Sequence, residues 1–388
     1  MTDIYADYAA AAPLRPEARD AMIEALAAGL GNPSSVHDAG ARARACLEAA
    51  REEVAAVLDA HPLEIVFTSG ATEANNLALV GAVEARRGPA HVAAPATEHS
   101  SILAPLRACA GRGHHLTLLP TDEQGRTDPR AVAAAGPDLL SVALVNAETG
   151  VIQDVAALAD AARTRGGLAH VDAAQGAAFL ALGVDEIGVD LLTLSSTKLG
   201  GPPGAGALYV RRGTAVAPLQ RGGPQEQGLR AGTENVPALV GFATALALAA
   251  AERERERERL GALRDRLRHA IAATWPGARF APRDGVATAP HIVNVVLPGA
   301  VGEDLVAALD LEGIAASTGS ACAAGAAEPS HVLLAMGRSE EEARGAIRLS
   351  LGWGSSAAHV DAILLALARV RTRVTNRPKE TAWPAHGS

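Results

Sequence analysis

Between Glu64 and Arg212 the chain alternates short apolar runs with Ala-rich stretches suited to helix. The runs cover residues 64–67, 91–94, 115–119, 139–145, 168–171, 191–194 and 207–210. Strands covered by helices on both faces read as continuous apolar runs, because neither side of the pleat meets water. The pattern therefore predicts an α/β fold with a mainly parallel seven-stranded sheet covered by helices. Ligands of such sheets sit beyond the carboxyl ends of the strands, so chemistry is expected in the residues that follow each run.

Residues 237–274 form a long Ala- and Leu-rich helical stretch that contains Glu252-Arg-Glu-Arg-Glu-Arg-Glu-Arg259. Strict alternation sets opposite charges at i,i+3 and like charges at i,i+4, so the run reads as a solvated helix linking two domains. After it, residues 291–297 read as a strand and 302–309 as a helix, which predicts a smaller α/β C-terminal domain. The polar segment from Val374 onward, with Pro378 and Pro384, is expected to fray.

Composition narrows the partners. With 388 residues, 48% of them hydrophobic, the chain can bury a large core. A formal net charge of -8 provides no overall basic field, so direct nucleic-acid binding is not expected. No uninterrupted apolar run of about 18 residues, the length of a membrane span, appears, and the N-terminus lacks a basic segment followed by an apolar one. A cytoplasmic protein with no membrane partner is expected. Cys46, Cys109 and Cys322 are too few and too scattered for a disulfide framework or a metal site. Any one of them that matters does so as a reactive thiol.

Of 35 Lys+Arg residues only two are lysine: Lys379 in the polar tail, and Lys198 in Ser195-Ser-Thr-Lys198-Leu-Gly-Gly. An amine forms an imine with a carbonyl; a guanidinium, protonated at any accessible pH, does not. Lys198 is therefore a Schiff-base candidate with pyridoxal phosphate (PLP) as the carbonyl, the alternative being an ordinary surface lysine in an Arg-rich composition. Thr68-Ser-Gly-Ala-Thr-Glu-Ala-Asn75 follows the first run and opens a helix, which aims N–H groups and the positive end of a dipole at a phosphate. Gly70 allows close backbone approach and Thr72 adds a hydroxyl; a plain capped turn is the bland alternative. Asp172 closes another run, where it either pairs with a pyridine nitrogen or caps the next helix. Gln175 is placed to reach a phenolic oxygen, and His99 either to stack on a flat ring and shuttle protons as a catalytic residue or to serve structure alone.

Gly70-Ala71-Thr72, His99, Asp172, Gln175 and Ser195 to Lys198 stand at run ends in a recognisable order. With Asp7-Tyr-Ala-Ala-Ala-Ala-Pro, Gly31-Asn-Pro-Ser-Ser, Arg230-Ala-Gly-Thr-Glu-Asn, Ser317-Thr-Gly-Ser-Ala-Cys and Ile347-Arg-Leu-Ser-Leu-Gly, nearly the whole chain resembles the cysteine desulfurases of the class V aminotransferase family. The resemblance implies the fold type I PLP-dependent transferase architecture. A large cofactor domain would span 14–255, and a small domain 1–13 plus 256–388. Lys198 would hold PLP covalently, Asp172 would face the pyridine nitrogen, His99 would stack on the ring and Gln175 would contact the phenolic oxygen. Ala71, Thr72, Ser195 and Thr197 would line the phosphate site, joined by Thr233 from the neighbouring subunit of a homodimer. Arg348 would bind the carboxylate of L-cysteine with Asn32 nearby, a task suited to a planar fork. Cys322 would take the substrate's sulfur as a persulfide, release alanine and pass the sulfur to a protein acceptor. The rival readings are a PLP lyase acting on selenocysteine or another C–S substrate, and an impaired scaffold of the same fold. Cys46 and Cys109, in Ala-rich helical surroundings, read as core.

Two positions depart from the family pattern. Ala147 stands where the second of two adjacent asparagines is usual, a residue that contacts the phenolic oxygen near the substrate carboxylate. Asn146 is not expected to replace it, since neighbours on an extended segment point to opposite sides. Thr197 stands where histidine usually precedes the lysine, and it still offers a hydroxyl to the phosphate.

Overall fold

The computed structural model describes residues 4–319 and 328–375. Cys322 and the tail expected to fray lie outside the described residues. The first strand, β1 (Ile4–Tyr5), is followed by β2 (Ile65–Thr68), β3 (His91–Pro95), β4 (His115–Leu119), β5 (Leu139–Ala143), β6 (Leu168–Asp172), β7 (Leu191–Ser195) and β8 (Gly206–Val210). All seven apolar runs are thus strands, ordered β2-β8-β7-β6-β5-β3-β4 in one sheet. The central pairs are parallel, whereas β8 runs antiparallel to both β2 and β7. Residues 196–205, between β7 and β8, are too few for the crossover that a parallel pair needs. They form the turn that carries Lys198.

The strand β9 (Arg279–Phe280) and the strands β10 (Ile292–Val296), β11 (Ile314–Ala315) and β12 (Ala346–Ser350) lie beyond the long helix Val236–Thr274. β12, β10 and β9 form an antiparallel sheet, while β11 pairs with β1. Ile4 and Ala6 share a core with Leu260, Leu267, Val293 and Leu349, so the N-terminus belongs to this second core. Ser350 N–H donates to Ala6 O at 2.7 Å and Asp7 bridges to Ser350. These contacts draw Asp7 and Arg348 together at the end of the large sheet where β7 delivers Lys198.

The long helix packs on the helices Pro16–Ala27 and Asp38–Leu58. One stretch of it is long and apolar enough to cross a membrane, but half of that stretch is buried inside the protein, as a core helix requires. In its charged run Glu252, Glu254 and Glu256 pair with Arg255, Arg257 and Arg259, the i,i+3 pattern expected. The run is not simply solvated, which corrects the reading from alternation alone. Glu252 takes Arg15 at 2.8 Å, Glu256 is buried, and Arg259 donates to Gly352 O at 3.0 Å. Long-range partners therefore turn one face of the run into a brace.

A second buried ion pair fixes the loop after β8. Arg51 donates from Nη1 and Nη2 to the two oxygens of Glu226 at 2.7 and 2.8 Å, and Phe67 N–H donates to the same carboxylate at 2.7 Å. Arg51→Leu leaves Glu226 charged and unpaired in the interior, which costs about 3–5 kcal/mol. Denaturant unfolding should show that loss, with Arg51→Leu/Glu226→Leu recovering most of it.

Candidate active site

Lys198 stands at the end of β7 with its Nζ donating to the carbonyl of Ala10. Burial, reinforced by the positive charge of Arg348, pulls its pKa from 10.5 down to about 8; Asp7 and Asp172 act in the opposite sense. A lysine so placed holds a neutral, nucleophilic amine at mildly alkaline pH. On one side it borders a cavity of about 30 Å³, shared with Tyr8, Arg15, Phe179, Glu256 and His291, with room for a water.

The sheet register builds a cradle beside this amine. Gly206 at the start of β8 is opposite Thr68 on one side and Ser195 on the other. A Cβ on Gly206 would stand 2.7 Å from Gly70 Cα, so glycine is what lets the turn after β2 approach the turn after β7. Gly70 itself has φ +151°, a backbone conformation that side chains rarely adopt. It begins the helix Ala71–Glu84 with no side-chain cap, leaving first-turn N–H groups of Ala71 and Thr72 aimed outward. Ser195 Oγ and Thr197 Oγ1 lie 3.2 Å apart at the other rim. The donor set is neutral and N–H/O–H rich, as a phosphate requires.

Asp172 ends β6, three strands from the edge marked by Gly70. Ala174 N–H donates to its Oδ1 at 2.9 Å and Asn75 Nδ2 to its Oδ2 at 2.8 Å. The carboxylate thus caps the turn after β6, where no helix begins, and one of its oxygens is held by Asn75. His99 likewise caps the helix Ser100–Ala110 through Nδ1, yet stays exposed toward solvent. Burial nevertheless lowers its pKa from 6.5, with Asp172 opposing and Lys198, His331 and Arg348 assisting. Beside it Glu98 is enclosed; burial pushes its carboxyl up to about 8, with Asp172 adding to the shift. Gln175 donates from Nε2 to Ala9 O at 2.6 Å, and His291 Nε2 lies 3.4 Å from its Oε1.

Arg348 is buried on β12. It donates from Nη2 to Asp7 Oδ1 at 2.8 Å and from Nη1 to Ala147 O at 2.9 Å, while the buried Nε has no partner among the described residues. A guanidinium held through one N–H of each Nη keeps the second N–H of each for a further carboxylate. At Ala147 the side chain is a methyl, and Asn146 does not replace the missing amide. Its Oδ1 accepts from Glu148 N, Thr149 N and Thr149 Oγ1, and its Nδ2 donates to Thr97 O at 3.0 Å.

Asn32 and Thr233 stand apart from this cluster in the single chain. The Asn32 carboxamide accepts from Ser34 N–H in an exposed turn. Thr233 is exposed in a segment tied to the cradle helix by Arg230 and Glu73 at 2.9 Å. Cys109 is buried and Cys46 half-buried, as core residues. Asp7, Asn75 and Ser101 were not singled out from the sequence. Their partners are 341, 97 and 2 residues away, and only the two-residue spacing of Ser101 from His99 was visible in the chain. An amine of lowered pKa, a phosphate cradle, a carboxylate and an arginine fork converge, and this set fits PLP and an amino acid.

The chain matches the family model described as Aminotransferase class-V over residues 4–363. Among curated relatives, Cysteine desulfurase IscS of Dictyoglomus turgidum is 38% identical over 388 residues, 98% of either chain. Cysteine desulfurase of Bradyrhizobium diazoefficiens is 39% identical and covered over 97% of both. Among solved structures, a NifS-like protein superposes with a TM-score of 0.90 at 30% identity, covering 96% of this chain and 100% of its own. SspA in complex with cysteine superposes with a TM-score of 0.78 at 32% identity, over 90% and 98%.

Proposed function

The chain belongs to the class-V aminotransferase family, and on that premise we propose that it is a PLP-dependent cysteine desulfurase that passes sulfur from L-cysteine through Cys322 to a protein acceptor. The observation that carries the reading is Lys198, a lysine of lowered pKa between the phosphate cradle and the Arg348 fork. PLP bound there supplies an electrophilic aldehyde and an electron-accepting ring that loosens bonds at the substrate α-carbon.

The chain's own residues do the rest. Lys198 Nζ holds the cofactor and, with a pKa about 8, gives and takes a proton at the substrate α-carbon. Asp172 would face the ring nitrogen, Gln175 the phenolic oxygen, and Ala71, Thr72, Ser195 and Thr197 would hold the phosphate. Arg348 orients the carboxylate of L-cysteine by its remaining N–H groups. The Cys322 thiolate forms a bond to the substrate sulfur as the carbon–sulfur bond breaks; the electron pair goes to the β-carbon, which takes up a proton. L-cysteine and the thiol thus become L-alanine and a persulfide, with no outside oxidant. The exposed Thr233 and Asn32 suit a homodimer in which each site is finished by the neighbouring subunit.

Intact-mass measurement after L-cysteine tests this reading. The wild type should gain sulfur on Cys322, and Cys322→Ser should gain none and make no alanine. Alanine from Cys322→Ser would instead mark direct elimination. Ala147→Asn should raise kcat/KM for L-cysteine about tenfold in steady-state assays, since a hydrogen bond to a charged group contributes about 1.5–3 kcal/mol. An unchanged value would mean that the methyl group costs the enzyme nothing.

A further inference from the structure

Asp172 and His99 meet the cofactor separately in the reading above, yet the structure joins them through two groups that the reading leaves idle. Asn75 is fully buried one turn into the helix Ala71–Glu84. Its Nδ2 donates to Asp172 Oδ2 at 2.8 Å and to Ser101 Oγ at 2.9 Å. Ser101 Oγ lies 2.8 Å from His99 Nδ1, and the Ser101 backbone N–H donates to the same nitrogen at 3.1 Å.

Donor accounting fixes every direction in this chain. Both amide hydrogens of Asn75 are spent. His99 Nδ1 receives a backbone N–H, so in the neutral ring it carries no proton of its own. The Ser101 hydroxyl, already an acceptor from Asn75, is left to donate to Nδ1. The ring proton of His99 therefore sits on Nε2, the nitrogen that Ser101 does not touch.

We propose that Asn75 and Ser101 are positioning residues that tie Asp172 to His99 in a relay, Asn75 donating to the carboxylate and to Ser101 and Ser101 donating to His99 Nδ1, which fixes the carboxylate in place and keeps the histidine neutral with its proton on Nε2. The proposal rests on the cofactor reading for its purpose, and on the hydrogen bonds alone for its existence. A second proton on His99 would have to enter at Nδ1, against the Ser101 N–H and a hydroxyl already turned toward that nitrogen. The relay therefore opposes the imidazolium. Of the charged and titratable groups that face the ring, Asp172 on β6 favours the imidazolium, while Lys198 after β7, His331 on the helix His331–Ala335 and Arg348 on β12 disfavour it. Removing Asn75 frees Ser101 to accept from Nδ1 and unties Asp172, so His99 should take up its second proton at higher pH.

The test is nitrogen-15 NMR of the histidine rings in the full-length chain, with and without PLP, together with absorbance titration of PLP into the cofactor-free chain. Wild type should show a single Nε2–H tautomer for His99. In Asn75→Leu, of similar volume, and in Ser101→Ala the backbone N–H of residue 101 still holds the neutral Nε2–H tautomer, but the His99 midpoint should rise, while Ser101→Thr, which keeps the hydroxyl, should keep the wild-type midpoint. In Asn75→Leu the His99 midpoint should rise by about one pH unit, and PLP should bind about tenfold more weakly, the effect of one lost hydrogen bond. A wild-type His99 midpoint in both Asn75→Leu and Ser101→Ala would overturn the relay; Ser101→Ala keeps the question decidable if Asn75→Leu does not fold. The spectra of the cofactor-free chain are independent of PLP, so a wild type that takes up no PLP sinks the proposed function and is distinguishable from failure of the relay.

Discussion

Lys198→Arg yields a chain that folds but makes no measurable alanine from L-cysteine, a loss of at least about 10²–10⁴-fold, the range that a positioned acid–base group supplies. Arginine keeps the charge and cannot supply the neutral amine. The wild-type amine carries a second, sharper expectation. Only unprotonated Nζ attacks the cofactor aldehyde, and burial with the Arg348 charge depresses its pKa to about 8. PLP uptake by the cofactor-free chain should therefore speed up as pH rises through about 8, whereas an unperturbed lysine would delay the rise toward 10.5. Stopped-flow absorbance across a pH series measures it. A midpoint near the ordinary lysine value would mean that Nζ is not desolvated as the geometry requires.

Arg348→Leu should raise KM for L-cysteine by about 100-fold, with PLP affinity within about twofold of wild type. Two charge-assisted hydrogen bonds to a carboxylate, at about 1.5 kcal/mol each at the low end, give that order, and the unpaired Asp7 carboxylate acts in the same direction. Arg348→Lys should recover little, because a single ammonium cannot hold Asp7, the Ala147 carbonyl and a substrate together. Retained cofactor binding separates loss of the fork from loss of the fold. A variant with normal KM would move the substrate carboxylate to another residue.

The sheet was legible because six of its seven strands are almost wholly enclosed and announce themselves as apolar runs, and the partly exposed edge strand β4 keeps an apolar run as well. The long helix was equally plain, and its ends fall where composition placed them. Less visible were β1, β9 and β11, each two residues long, too short for any period. The charged run from Glu252 to Arg259 reads as solvated from alternation, and only distant partners such as Arg15, 237 residues from Glu252, and Gly352 show that one face is occupied. The same limit applies at the site. Lys198, Asp172 and His99 stood out because strand ends are where such folds place ligands. Asp7 behind Arg348, and Asn75 between Asp172 and Ser101, acquire their roles only when distant segments meet, and no local pattern encodes that meeting. Asn146 and Ala147 show the converse: adjacency predicted that one could not stand in for the other, and the hydrogen bonds of Asn146 explain why.

The most direct test of the central claim is an absorbance spectrum of the purified chain before and after L-cysteine, with alanine and sulfide assayed in the same tube for wild type and Cys322→Ser. The account predicts a visible cofactor band that shifts with L-cysteine in both proteins, and alanine from the wild type alone. A wild type with no visible band, or with a band that L-cysteine leaves unmoved, would contradict it.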